Sequence, residues 1–113
     1  VRALIIDDHP DSSRLALQLI TPYVDVALTA QEAVAALLKP YDAVVLDLFL
    51  PGIEEFGGVM EFVHLVRRMH WKNLVIVSGC DPKLVQDAAD EVSAVALPKP
   101  HLVADLLGAC IRV

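Results

Sequence analysis

AVVLDLFLPG, residues 43–52, decides the architecture of this chain. Four aliphatic residues run without a polar interruption, Asp47 closes the run, and Pro51-Gly52 turns the chain away. A strand with one face in water alternates polar and apolar residues, whereas an unbroken apolar run suits a strand buried on both faces. Burial on both faces is the condition of a parallel sheet covered by helices. Working outward, four more runs of this kind lie at residues 3–6, 24–28, 74–77 and 94–97, each bounded by charged or turn-forming residues.

The segments between the runs carry helical periodicity. Residues 11–20 place Leu15, Leu19 and Ile20 along one stripe, and residues 30–38 place Val34, Leu37 and Leu38 likewise. Thr29 and Glu32 form a capping box before the second helix, which Lys39-Pro40 ends. Residues 59–69 give a third helix ending near Trp71. Asp81 followed by Pro82 is a cap and first-turn proline for a fourth, running to about Asp90, and residues 101–111 give a fifth. Strand and helix thus alternate five times, without internal repeat, low-complexity segment or linker. The pattern predicts an α/β fold: a flavodoxin-like (βα)5 doubly wound parallel sheet with strand order 2-1-3-4-5.

A length of 113 residues suits one compact unit, so residues 1–113 are read as a single domain. A start at Val1 rather than Met is compatible with a domain cut from a longer protein. With 56% hydrophobic and 21% charged residues, disorder is excluded, and no apolar run is long enough to span a membrane. Neither a signal peptide nor membrane association is expected, and a cytoplasmic location is. A net charge of -6 and no visible Lys/Arg cluster argue against direct nucleic-acid binding. Cys80 and Cys110 are far apart and form no CxxC pair, so both are read as reduced thiols without zinc.

In an open α/β sheet, functional side chains gather at the carboxyl ends of the strands. Here Asp7 and Asp8 close the first strand, Asp47 the third and Ser78 the fourth, while Lys99 follows the fifth. The predicted strand order makes these neighbours around one shallow cleft. Three carboxylates so placed repel one another unless a cation holds them, and hard oxygen ligands suit Mg²⁺ or Mn²⁺. Singly, each residue has a bland reading: Asp7 or Asp8 as a cap, Ser78-Gly79 as a turn, Lys99 as a solvated lysine. Together they do not. His9 reads as structural, and His64, His70 and His101 as surface or capping residues.

Asp7-Asp8, the segment Asp47-Leu48-Phe49-Leu50-Pro51-Gly52, Ser78 and Lys99-Pro100 resemble, in order and spacing, the pattern of response-regulator receiver domains. The resemblance spans essentially the whole chain. It implies that Asp47 is the phosphoacceptor and that Asp8 binds a divalent metal directly, with Asp7 acting through the metal's waters. The backbone carbonyl of Phe49 completes the protein ligands. It further implies that Ser78 donates to a phosphoryl oxygen, that Lys99 pairs with Asp47 and then with the phosphate, and that the Lys99-Pro100 bond is cis. The implied donor is a sensor histidine kinase or phosphotransfer protein. The implied output is a changed surface of the fourth helix, fifth strand and fifth helix, including Lys83, Gln86, Asp87 and Ala96, with a homodimer or an attached output domain as further partners.

Three departures stand out. Ala96 occupies the position where many receivers carry the aromatic half of their switch. The loop after Gly52, reading Ile53-Glu54-Glu55-Phe56-Gly57-Gly58, is a little longer than usual, and its acidic pair is expected to shape partner contact. Phe49 and Cys80 stand where receivers often tune dephosphorylation, and neither orients a water, which predicts slow loss of the phosphoryl group. The alternative is a receiver that is never phosphorylated and serves as an interaction module. A haloacid-dehalogenase-type hydrolase needs a second Asp where this chain has Phe49. A mononucleotide binder needs a phosphate cradle that the acidic first loop lacks, and no GxGxxG supports a dinucleotide site.

Overall fold

The computed structural model of the protein describes residues 1–79, 81–99 and 103–111. Five strands alternate with five α-helices: β1 (Arg2–Ile6), α1 (Asp11–Leu17), β2 (Tyr23–Ala27), α2 (Ala30–Ala36), β3 (Ala43–Asp47), α3 (Val59–Met69), β4 (Asn73–Ser78), α4 (Pro82–Glu91), β5 (Val95–Pro98) and α5 (Val103–Cys110). A 3₁₀ turn, Ile53–Phe56, lies between β3 and α3. All pairings are parallel, in the order β2-β1-β3-β4-β5.

Alternate residues of the central strands feed two cores. Leu4, Val44, Leu46 and Ile76 face α2, α3 and α4, while Ile5, Val45, Val75 and Val77 face α1 and α5. The division follows from handedness. Crossovers between parallel strands are right-handed, so the move from β1 outward to β2 puts α1 on one face. The return across β1 to β3, β4 and β5 puts α2, α3 and α4 on the other. The reversal leaves a crevice between the carboxyl ends of β1 and β3.

The predicted caps form. Thr29 Oγ1 accepts from the Glu32 amide at 3.1 Å, the Glu32 carboxylate accepts from the Leu28 amide, and Asp81 accepts from the Lys83 amide at 2.9 Å ahead of Pro82. Two helix faces differ from the sequence reading. On α1 the buried residues are Ser13, Ala16 and Leu17, while Leu15 and Leu19 lie in water. Leu15 stands about 200° around the helix from Leu17, so one of the two had to face out. The helix also stops before residue 20: Leu19 and Ile20 bond back only three residues, tightening the chain ahead of Pro22. On α2 Leu37 is buried and Val34 packs against the core as expected, beside Ala30 and Ala33, but Leu38 turns out at 80% exposure.

His70 also departs from its expected surface place. It is buried at the end of α3, with Nε2 donating to the Asn73 carbonyl at 2.8 Å. His101 lies outside the described residues. Burial pushes the His70 pKa down; Arg67 and Lys72 act the same way, and the Asn73 carbonyl and Asp42 oppose them. The neutral ring is therefore the folded form, and the unfolded chain binds the extra proton. His70 contributes stability that is present above the ordinary value of 6.5 and lost as pH falls through its lowered folded value. Urea midpoints of the wild type are expected to fall more steeply than those of His70→Gln between about pH 7 and pH 5. Parallel curves would show that this ring does not titrate with folding.

Candidate phosphoacceptor and metal site

The crevice collects the predicted side chains. β1 runs directly into Asp7, whose amide donates to the Ala27 carbonyl at 3.0 Å, and β3 ends in Asp47. Both aspartates are nearly dry, at 1% and 5% exposure, and both are held in the same way. One oxygen of each accepts from the backbone amide two residues on: Asp7 Oδ1 from His9 at 2.8 Å, and Asp47 Oδ1 from Phe49 at 2.9 Å. These Asx-type turns fix the carboxylates as the strands leave the sheet. The other oxygen of each meets Lys99, whose Nζ donates to Asp7 Oδ2 at 2.6 Å and to Asp47 Oδ2 at 2.8 Å.

Lys99 reaches this position because its amide continues the β4–β5 ladder, donating to the Ser78 carbonyl at 3.0 Å. Burial opposes its charge. The hydrogen bonds and charges of Asp47 and Asp7 outweigh that penalty and raise its pKa above the ordinary lysine value. Ser78 is buried at the end of β4, one step beyond Val77, which pairs with Asp47. Asp8 is the outer member, partly exposed, with His9 Nε2 3.7 Å from its Oδ2. A ligand oxygen from each of Asp7, Asp8 and Asp47 lies within 4.8 Å of the others. An all-carboxylate oxygen set of that spread fits a hard divalent cation.

The loop after Asp47 is braced from α2. The Ala30 amide donates to the Pro51 carbonyl at 2.9 Å, and Gln31 Nε2 donates to Glu55 at 2.6 Å. Gly52 sits at φ +90°, where a Cβ would come within 2.3 Å of Gln31 Oε1, so this turn needs glycine. Phe49 stands at the rim, 62% exposed. The expected output residues Lys83, Gln86 and Asp87 lie on the outer face of α4, Lys83 paired with Asp87 at 3.1 Å, while Ala96 packs against the α2–α4 core. Cys80 and the Lys99-Pro100 bond fall outside the described residues. The sequence reading paired Lys99 with Asp47 alone; its equal bond to Asp7 was not foreseen.

No family model matches the chain, and no curated protein matches it. Solved structures do. A response regulator receiver domain protein (CheY-like) from Methanospirillum hungatei superposes with a TM-score of 0.79 at 23% identity, covering 94% of this chain and 86% of that one. The fold is that of a response-regulator receiver domain. A LuxR-family two-component response regulator from Aurantimonas has 26% identity and a TM-score of 0.73, covering 94% of this chain and 79% of its own. A Burkholderia pseudomallei response regulator with a phosphorylated aspartic acid, calcium ion and citrate has a TM-score of 0.81 at 18% identity, with 98% of this chain and 66% of that one covered. Among the described residues of this receiver fold, no helix is long and apolar enough to cross a membrane.

Proposed function

We propose that residues 1–113 form one regulatory phosphoacceptor domain, in which Asp47 takes a phosphoryl group from a phosphohistidine of a sensor histidine kinase or phosphotransfer protein. The supporting observation is the Lys99 ammonium shared between the dry carboxylates of Asp7 and Asp47, beside a third carboxylate at Asp8. Asp7, Asp8, Asp47 and the Phe49 carbonyl would hold Mg²⁺ or Mn²⁺. When bound, the ion supplies charge neutralisation for the phosphoryl oxygens.

The chain's own part follows from how Asp47 is held. With Oδ1 tied to the Phe49 amide, Oδ2 is the oxygen directed at the cleft alongside Lys99. It forms the new P–O bond as the donor's P–N bond breaks, and the electron pair leaves with the imidazole. Lys99 then transfers its hydrogen bond from the carboxylate to a phosphoryl oxygen, and Ser78 donates to another. The signal leaves through α4, β5 and α5, with Lys83, Gln86, Asp87 and Ala96 on the responding surface; without an aromatic at Ala96, backbone movement after Ser78 carries it. A homodimer or an attached output domain is the proposed reader, and the compartment is the cytoplasm.

Intact-mass measurement after incubation with acetyl phosphate and Mg²⁺ tests this reading. One phosphoryl group is expected on the wild type, none without the cation and none on Asp47→Asn. A folded, unlabelled wild type would instead point to a module that binds partners without being phosphorylated. In the labelled domain, Phe49→Asn is expected to accelerate loss of the phosphoryl group by about tenfold, since its amide can orient an attacking water. Decay at an unchanged or slower rate would remove Phe49 from any role in that step.

A further inference from the structure

At the end of the sheet opposite the acidic crevice, the fold assembles a surface that no linear motif announces. Of the nine Lys and Arg residues in an acidic chain, Arg2, Lys39, Arg67, Arg68 and Lys72 sit at the amino ends of strands or at and just beyond the last turns of helices, all at this basal end. Asp25, Asp42, Asp90 and Glu91 lie toward the same end, but none of them lines the grooves beside Trp71, which take their charge from Lys39, Arg67 and Lys72. Asp42 accepts from the Arg2 amide at 2.8 Å and faces Lys72 at 3.5 Å, Asp25 accepts from the Tyr41 hydroxyl at 2.7 Å, and Glu91 faces His64 at 3.4 Å. Lys39 and Arg68 make no ion pair among the described residues.

Within this basic surround, Trp71 stands 80% exposed, with Lys72 Nζ 5.5 Å from its ring centre. It forms a ridge between two grooves. One, of about 650 Å³, runs along Arg67, Asn73, Ser93 and Ala109; the other, of about 360 Å³, runs along Leu38, Pro40 and Met69. The floor is rigid. Arg67 donates to the carbonyls of Val92 at 2.7 Å, Lys72 at 2.8 Å, Ser93 at 2.8 Å and His70 at 3.1 Å, tying the turns before β4 and β5 together. An exposed tryptophan flanked by grooves, on a surface already preorganised, is the anatomy of a binding hot spot.

We propose that this basal surface docks an acidic protein segment that carries apolar side chains, seated across Trp71. Charge selects the occupant. A second copy presenting the same basic face would be repelled, so a symmetric dimer is disfavoured here. A nucleic acid or an anionic lipid surface would bring dense negative charge against a chain of net charge -6, whereas a peptide spaces its carboxylates and places apolar groups between them.

Trp71 is the chain's one tryptophan, so its emission reports this surface alone. The full chain is titrated with a short synthetic peptide alternating Glu with Leu and Phe. Its Lys-for-Glu counterpart, phosphatidylserine vesicles and a single-stranded oligonucleotide serve as comparators. The expected result is a saturable blue shift with the acidic peptide, weakened by salt, with affinity reduced at least about tenfold in Lys39→Glu/Lys72→Glu and measurably in Lys39→Gln, which disturbs no ion pair. The proposal is overturned by an absent shift, by an equal shift with the Lys peptide, by a shift with vesicles or oligonucleotide and not with the peptide, or by a concentration-dependent shift of the chain alone.

Discussion

Phe62→Ala is expected to cost about 3–5 kcal/mol, a large fraction of the roughly 5–15 kcal/mol by which a domain of this size is stable. Phe62 is fully buried on the inner face of α3, and its ring packs against Phe56 of the 3₁₀ turn, with centroids 5.5 Å apart and planes at 54°. Truncation removes the largest fully buried side chain of the α2–α4 core and leaves a void between α3 and the 3₁₀ turn. The 3₁₀ turn is otherwise held by Ile53, buried in the same core, and by the Gln31 to Glu55 hydrogen bond. Losing Phe56's partner therefore loosens the loop that follows Asp47 as well as the core. Urea unfolding measures the loss, with Leu38→Ala as the control: at 80% exposure that substitution should shift stability by no more than about 0.5 kcal/mol. Similar midpoints for the two variants would contradict the assignment of the buried faces.

That contrast marks where the sequence is legible and where it is not. The central strands could be read because burial on both faces leaves an unbroken aliphatic run, and few other structures require one. The helix faces were harder. In a chain this rich in aliphatic residues, a short helix offers more than one apolar stripe, and the choice between Leu15 and Leu17, or Leu37 and Leu38, depends on how closely the helix approaches the sheet. Ala16, Ala30 and Ala33 allow close approach, which admits Leu17 and Leu37 beside them and leaves Leu15 and Leu38 outside. The site residues were legible because a doubly wound sheet brings its strand ends together whatever lies between them. Contacts between side chains from distant strands were not. Lys99 follows an edge strand, and its reach to Asp7 on β1 depends on the length of its stem. The basal cations come from positions 2, 39, 67, 68 and 72, scattered so that no run appears until the chain folds. His70 looked like a polar residue after a helix, and only the Asn73 carbonyl makes its burial tolerable.

Lys99→Met is the substitution that joins fold to function most directly. It keeps the aliphatic stem and removes the ammonium that now bonds Asp7 at 2.6 Å and Asp47 at 2.8 Å. Two carboxylates with at most 5% exposure would then face each other without a cation. Leaving buried charge uncompensated costs on the order of 3 kcal/mol, moderated by whatever water or proton enters in its place. The metal-free variant is therefore expected to unfold at distinctly lower urea than the wild type. Mg²⁺ is expected to reverse the order of effects, because the variant's site has lost a competing positive charge. Its affinity for the ion should rise by about tenfold or more, and the stabilisation gained from added Mg²⁺ should exceed that of the wild type. Labelling by acetyl phosphate should nonetheless fall by about a hundredfold, since the donor that follows charge onto the phosphoryl oxygens is gone. Higher ion affinity with lost transfer is a combination that general misfolding cannot produce. A variant as stable as the wild type without Mg²⁺, and no tighter in binding it, would show that the Lys99 bridge does not govern the crevice.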